Sequence, residues 1–336
     1  MSDAGTPVIE CVPNVSEGRD PRIIDALASA LARTSGVRLL HVDPGHDAHR
    51  TVFTFVGGPE AVADGAIRLG HAVAAHLDMR RHHGAHPRLG ALDVCPFVPV
   101  RGVTLERCVG VARRVAATLA HDLDLPVYLY EAAAFRPDRR SLVDLRRGEY
   151  EHLAGRLAEP SGRPDFGPAR PSNRLGGSIV GARPFLIAWN VSLATTDVTI
   201  ARRIAGRVRA SGVRHPGPEG KDVHHPGRLP AVRAVGWAMP SYGHAQVSMN
   251  LLDYRITPLH VAYAAVCEEA AREGTQVVGS ELIGLVPADA LVGTGRALLG
   301  DEGASEDRAV AAAVRGLGLD HLGPFDATAR ILERRL

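Results

Sequence analysis

Two hydrophobic periods alternate along the chain. Short Val/Ile/Leu-rich runs of strand length are separated by longer Ala-rich stretches in which apolar residues recur every three or four positions. That alternation predicts an α/β class, as opposed to a helical bundle or a β-sandwich. In the first half, residues 8–12 read as a strand ended by Pro13, and Asp20-Pro21 supplies an N-cap and first-turn proline for a helix running to about Thr34. Residues 37–42 and 51–56 read as strands. A helix over 59–77 places Val62, Ala66, Leu69 and Val73 on one face. Residues 92–98 form a further β-run, which Pro96 assigns to a sheet edge or strand end.

The second half repeats the order, with strands over 185–193, 234–239, 246–254 and 277–285 and helices over 197–210 and 258–273. Both halves read βαββαβ, the split-βαβ order, so the chain is expected to be α/β (α+β) with tandem ferredoxin-like subdomains, 1–183 and 184–336, and a ligand cleft between them. Residue identity between the halves is weak, and the duplication rests on the pattern. Residues 148–183 carry seven Gly and four Pro, too irregular a composition for a helix. Asp165-Phe166-Gly167-Pro168 and Arg170-Pro171 are stiffer than a Gly/Ser tether, so this segment is expected to line or close over a ligand, with a flexible linker as the alternative.

Composition narrows the partners. Lys+Arg 39 against Asp+Glu 37 leaves a formal charge of +2, which builds no nucleic-acid face. All but one of those basic residues are Arg, so a single Arg is weak evidence of anion recognition, and the exception, Lys221, draws notice. Cys11, Cys95, Cys108 and Cys267 form no C-x-x-C pair and the opening residues show no basic-then-apolar signal, so a reducing cytoplasm is expected. Apolar runs are far shorter than a bilayer span, and no membrane association is expected.

His82-His83-Gly84-Ala85-His86-Pro87-Arg88 follows a helix end, and Pro87 biases His86 out of helical dihedrals onto a fixed turn. A histidine there suits proton transfer; a merely solvated His-rich loop is the bland alternative. Asp43, in Asp43-Pro44-Gly45, ends a strand where its carboxylate can fix an imidazole tautomer, or where it simply makes a turn. Asn14, between a strand and a helix N-terminus, can meet a carboxylate or belong to a capping turn. Metal binding by His46 and His49, His82 and His86, or His224-His225 lacks H-E-x-x-H or thiolate spacing, and no metal is expected.

Residues 10–18 (ECVPNVSEG), 50–57 (RTVFTFVG), 86–97 (HPRLGALDVCPF) and 126–130 (PVYLY) resemble the formiminotransferase domain of glutamate formiminotransferases. Asp165-Phe166-Gly167-Pro168, Gly181-Ala182-Arg183 and Pro226-Gly227-Arg228-Leu229 continue the likeness in order. The resemblance implies transfer of the formimino group of N-formimino-L-glutamate to N5 of tetrahydrofolate as co-substrate, a late step of histidine breakdown, by a homodimer lacking the cyclodeaminase domain of bifunctional members. It implies His86 as catalytic acid/base and Asp43 as its helper. The folate segment is Gly167, Pro168, Ala169, Arg170, Pro171, Ser172, Asn173, Arg174, Leu175 and Gly176, of which Arg170, Asn173, Arg174 and Leu175 replace the family's side chains. Transfer between two amines needs one proton removed and one delivered, which one neutral His can do. Formiminoglutamate and folate polyglutamate both carry carboxylates, for which Arg50, Arg88, Arg183 and Lys221 are the expected partners. Formyl transfer or hydrolysis at the same site, and a folate-binding protein without turnover, remain as alternatives.

Overall fold

The computed structural model describes residues 6–217 and 222–336, so Lys221 lies outside the described residues. The chain divides into two compact units, one ending at Pro184 and the other beginning at Phe185.

The first unit runs β1 (Val8–Cys11), β2 (Asn14–Val15), α1 (Pro21–Ala32), β3 (Val37–Gly45), β4 (Arg50–Gly57), α2 (Pro59–His76), β5 (Leu92–Arg101), α3 (Leu105–Asp122) and β6 (Val127–Glu131). It closes with α4 (Leu142–Leu145), α5 (Glu149–Ala158) and β7 (Ser178–Ala182). Strands β3, β4, β1/β2 and β5 lie side by side and antiparallel, the ferredoxin-like arrangement, and β7 then β6 extend it in parallel beyond β5. Asp20 caps α1 by accepting the Arg22 N–H, and Thr104 caps α3 through Arg107 N–H. One sheet face buries Phe53, Phe55, Cys95, Phe97 and Val180 against apolar stripes of α1, α2 and α3, among them Leu27, Leu69 and Leu119. There Cys11 and Cys95 bring their sulfurs to 3.6 Å as free thiols. The opposite face carries Val94, Tyr128, Tyr130 and Ile179 packed on Leu145, Leu153 and Leu157 of α4 and α5.

Two expectations are corrected here. Strand β5 lies between β1/β2 and β7, well inside the sheet, despite Pro96. Val12, in the gap between β1 and β2, donates its N–H to Pro96 O (3.2 Å). The Val12 carbonyl, which an antiparallel neighbour's N–H would normally meet, takes Asn14 Nδ2 at 2.9 Å, so the donor that proline lacks comes from a side chain. Residues 148–183 are neither a flexible tether nor irregular throughout, because they contain α5 and the inner strand β7. Leu153 and Leu157 give α5 its buried stripe, and all of Ser178–Ala182 is buried.

The second unit runs β8 (Ile187–Leu193), α6 (Val198–Val208), the hairpin strands β9 (Val213–Pro216) and β10 (Asp222–His225), β11 (Val232–Met239), β12 (His244–Leu251), α7 (Leu259–Arg272) and β13 (Val277–Ile283). Its sheet order, β11-β12-β8-β13, is the same ferredoxin-like order, followed by α8 (Ala288–Leu299) and α9 (Glu306–Leu317). Trp189, Val191 and Leu193 face the apolar core with α6 and α7. The alternate positions are polar: Glu281 Oε1 accepts Asn190 Nδ2 (3.0 Å) and Gln246 Nε2 (3.1 Å), while Gln246 Oε1 accepts Trp237 Nε1 (3.1 Å). Among the described residues no helix is long and apolar enough to cross a membrane.

Candidate active site

The site is built on the first unit's sheet, on the face away from α1–α3. Thr51 and Phe53 are fully buried, with Phe53 in the core beneath α1–α3, so strand alternation turns Arg50 and Val52 to the other side. Val52 pairs across the sheet with both Asn14 and Asp43, which puts Asn14, Asp43 and Arg50 on one face.

Asp93 joins them through an irregularity. Asn14 pairs with Val94 and Val15 with Leu92, so Asp93 is an extra residue in β5, a β-bulge. The bulge aims a fully buried carboxylate at Arg50. Asp93 Oδ2 accepts Arg50 Nη1 and Arg146 Nη2, each at 2.5 Å, and Oδ1 accepts Leu89 N–H at 2.7 Å. Burial would raise this carboxyl, but Arg146, Arg50 and the Leu89 amide outweigh it and hold Asp93 at about 2. Arg50 in turn donates Nε to Asn14 Oδ1 at 2.8 Å. Both ends of the Asn14 amide are thus occupied by protein partners.

His86 sits beside this cluster. Its Nδ1 lies 2.7 Å from Pro87 O, an acceptor only, which places the ring proton on Nδ1 and the lone pair on Nε2. Arg50 Nη1, 3.2 Å from the same nitrogen, then acts as a fixed positive charge. Burial, Arg50 and Arg146 push the imidazole well below its ordinary range, so it is neutral at pH 7.

The loop bearing His86 is pinned from several sides. Ala85 N–H donates to Asp47 O (3.1 Å) in the β3–β4 turn, and a Cβ on Gly84 would stand 2.3 Å from Ala48 O. Buried His82 accepts Arg88 Nε at Nδ1 (3.2 Å) and donates Nε2–H to His49 O (2.8 Å). Burial, with the His49 and Arg88 charges, lowers His82 to about 4. His49, at φ 49°, directs its two ring nitrogens at His83 O (3.0 Å) and Glu17 Oε1 (3.3 Å). Glu17 also accepts Arg19 and Asp20 N–H at 2.7 and 3.0 Å. Burial opposes ionisation of Glu17, yet His49 and these amides bring it to about 2. The amide-rich turn before α1 therefore meets a carboxylate, but one supplied by its own Glu17.

Several expected substrate partners are otherwise engaged. Arg88 is buried and spends its guanidinium on Glu149 (2.8 Å), Glu151 (2.5 and 2.9 Å) and His82, which ties the His loop to the start of α5. Arg183 follows β7 and bonds Pro184 O and the Tyr130 hydroxyl. Asp43 stands 3.9 Å from His41 Nε2 on β3. Residues 167–176 form a closed turn: Ser172 and Gly176 exchange backbone hydrogen bonds (3.2 and 2.7 Å), and Gly167 and Gly176 hold positive φ where side chains would strain. Arg174 donates to Leu77 O and Ala75 O, both at 3.1 Å, capping the end of α2, and exposed Arg170 pairs with Asp124. These two arginines of the expected folate segment are both engaged by protein groups. His46 is exposed beside Asp47, and His224 bonds Ser211 O. Among the described residues no three His, Cys, Asp or Glu side chains converge as a metal site would require.

Sequence reasoning missed Asp93 and Arg146. Asp93 lies inside an apolar run, and Arg146 is one of many arginines; the signal for Asp93 was a carboxylate where a buried strand should be apolar.

Residues 8–183 match the family model of the Formiminotransferase domain, N-terminal subdomain, and residues 188–336 match that of the Formiminotransferase domain. Formimidoyltransferase-cyclodeaminase of Sus scrofa is 45% identical over 97% of this chain and 59% of its own length. Glutamate formimidoyltransferase of Thermoplasma acidophilum is 41% identical over 85% of this chain and 90% of its own, and that of Streptococcus pyogenes 37% over 85% and 91%. The chain thus spans about three fifths of the bifunctional relatives. It belongs to the formiminotransferase-domain family.

Proposed function

We propose that this formiminotransferase-domain chain moves the formimino group of N-formimino-L-glutamate to N5 of tetrahydrofolate, with His86 carrying the protons. The supporting observation is the state of His86: a neutral imidazole, tautomer fixed by Pro87 O, with a basic Nε2. Such a ring removes one proton from the accepting amine and delivers it to the departing glutamate nitrogen. Arg50 and Asp93 hold that state, since the Arg50 charge at 3.2 Å disfavours a second ring proton except while one is in transit. Asp43, on the same sheet face as Arg50, is the proposed helper.

Tetrahydrofolate supplies the accepting amine when bound. The turn 167–176 fits it through its backbone, since Gly167 has no side chain and Ala169 only a methyl, and both are exposed. Restricted prolines at 168 and 171 keep that backbone in one shape. This reading carries a cytoplasmic enzyme acting as a homodimer, which sedimentation would report as twice the 35.7 kDa chain.

The deciding experiment incubates purified protein with tetrahydrofolate and either formiminoglutamate or formylglutamate. Turnover with the formimino donor supports the reading. Turnover with only the formyl donor, release of the one-carbon group to water, or folate binding without turnover each replaces it.

A further inference from the structure

The charge around Asp93 does not close. Arg50 and Arg146 both donate to it, and it is the carboxylate that either guanidinium touches among the described residues. Two cations on one anion leave a positive charge over, although the side chains of Arg50 and Arg146 are only 10% and 12% exposed. Neighbouring His86 contributes no negative charge. An uncompensated charge in such a place is costly, and an arriving anion removes the cost.

A second observation locates where the anion would sit. Arg146 Nε is buried without a hydrogen-bond partner, while its Nη2 donates to Asp93 Oδ2 at 2.5 Å. Unsatisfied buried N–H donors are rare in folded proteins, and the planar guanidinium presents this one in the geometry that suits a carboxylate. Arg146 is placed by the end of α4, whose last turn it closes through Arg146 N–H to Leu142 O (3.0 Å). The packed Leu145 beside it keeps that turn against the sheet.

We infer that Arg146, with Arg50, receives a carboxylate of the amino-acid donor, and so selects donors that carry a glutamate-like acid. The inference rests on the proposed transfer reading. It makes Arg146 a specificity residue, joined to His86 through Asp93 and Arg50. The bound carboxylate gains the unused Nε–H and balances the surplus charge in one step.

Arg146→Met keeps the aliphatic stem and removes the charge. Its KM for formiminoglutamate should rise about 10- to 100-fold, the worth of charge-assisted hydrogen bonds, with the KM for tetrahydrofolate unchanged within about twofold. Calorimetry with L-glutamate should show binding to wild type and loss of it in the variant. Inorganic sulfate should inhibit wild type competitively against the donor, a readout that stands even where the variant does not fold. An active Arg146→Met enzyme with wild-type donor KM overturns the inference, as does sulfate inhibition that is not competitive with donor. Wild type that binds L-glutamate through Arg146 yet transfers nothing overturns the functional reading and leaves the carboxylate subsite standing.

Discussion

His82 lies flat against His49, their ring centroids 4.3 Å apart and their planes 12° from parallel. One ring belongs to the loop that carries His86 and the other to the turn joining β3 and β4. Each is fixed by polar partners on its far side: Arg88 for His82, Glu17 for His49. The stack ties the position of the His86 loop to that of the sheet. His82→Ala is therefore expected to cost about 2 kcal/mol of stability and to lower kcat, through lost packing and an unpaired Arg88 Nε. Exposed His83→Ala should leave both within experimental spread. Thermal melts and steady-state kinetics on the two variants check the contrast, and equal effects would remove the stack's role.

His86→Ala should reduce transfer by about 10²- to 10⁴-fold while folate affinity stays within a few-fold, since the ring moves protons and adds little binding surface. Titration of tetrahydrofolate alongside rate measurements separates the two. Undiminished turnover in that variant ends the assignment of His86.

The pH profile follows from the same ring. Its conjugate acid is held well below the ordinary histidine range, so the basic form persists as pH falls. The acid limb of kcat/KM is expected well under pH 6.5. Arg146→Met removes one of the cations responsible and should shift that limb upward. An unmoved limb would show that another group sets it.

Asp93 makes a stability statement with a definite sign. Its folded value of about 2 lies below the unfolded value near 3.9, so its contribution is complete above about pH 4 and is lost as pH falls through about 2. Asp93→Asn should destabilise the protein at pH 7 by about 3 kcal/mol, because two buried guanidiniums lose their carboxylate. The gap in melting temperature between wild type and variant should narrow between pH 4 and pH 2. A gap constant across that window would assign the loss to shape alone.

Hydrogen exchange distinguishes a fixed turn from a closing strap over 167–176. The paired amides of Ser172 and Gly176 are expected to be protected before any folate is added. Exchange at the rate of an open chain, slowed only by tetrahydrofolate, would restore the strap.

Much of this architecture was legible in the periodicity, because strands and helices that bury one face must repeat at two or about 3.6 residues. Val62, Ala66, Leu69 and Val73 are all buried, as their spacing required. Pro96 misled because a proline's missing N–H was weighed without knowing that Asn14 would serve the opposite carbonyl. The helix α5 was missed because glycines at helix and turn boundaries, such as Gly148 at φ 80°, resemble glycines in a loop. That His86 stands on a loop after a helix end was legible from Gly84 and Pro87. Its neutralising surroundings were not, since Arg50, Asp93 and Arg146 converge only through sheet register and a bulge.

That bulge has a consequence for how the protein could change. Asp93 is present as an insertion in the ladder, so the sheet would be more regular without it. Deleting this one residue would let Asn14 and Val15 face consecutive partners, but it would leave the buried Arg50 and Arg146 without their carboxylate. A selection for heat resistance therefore gains nothing by smoothing this ladder, because the regularity recovered would come with the loss of the carboxylate that holds Arg50 and Arg146.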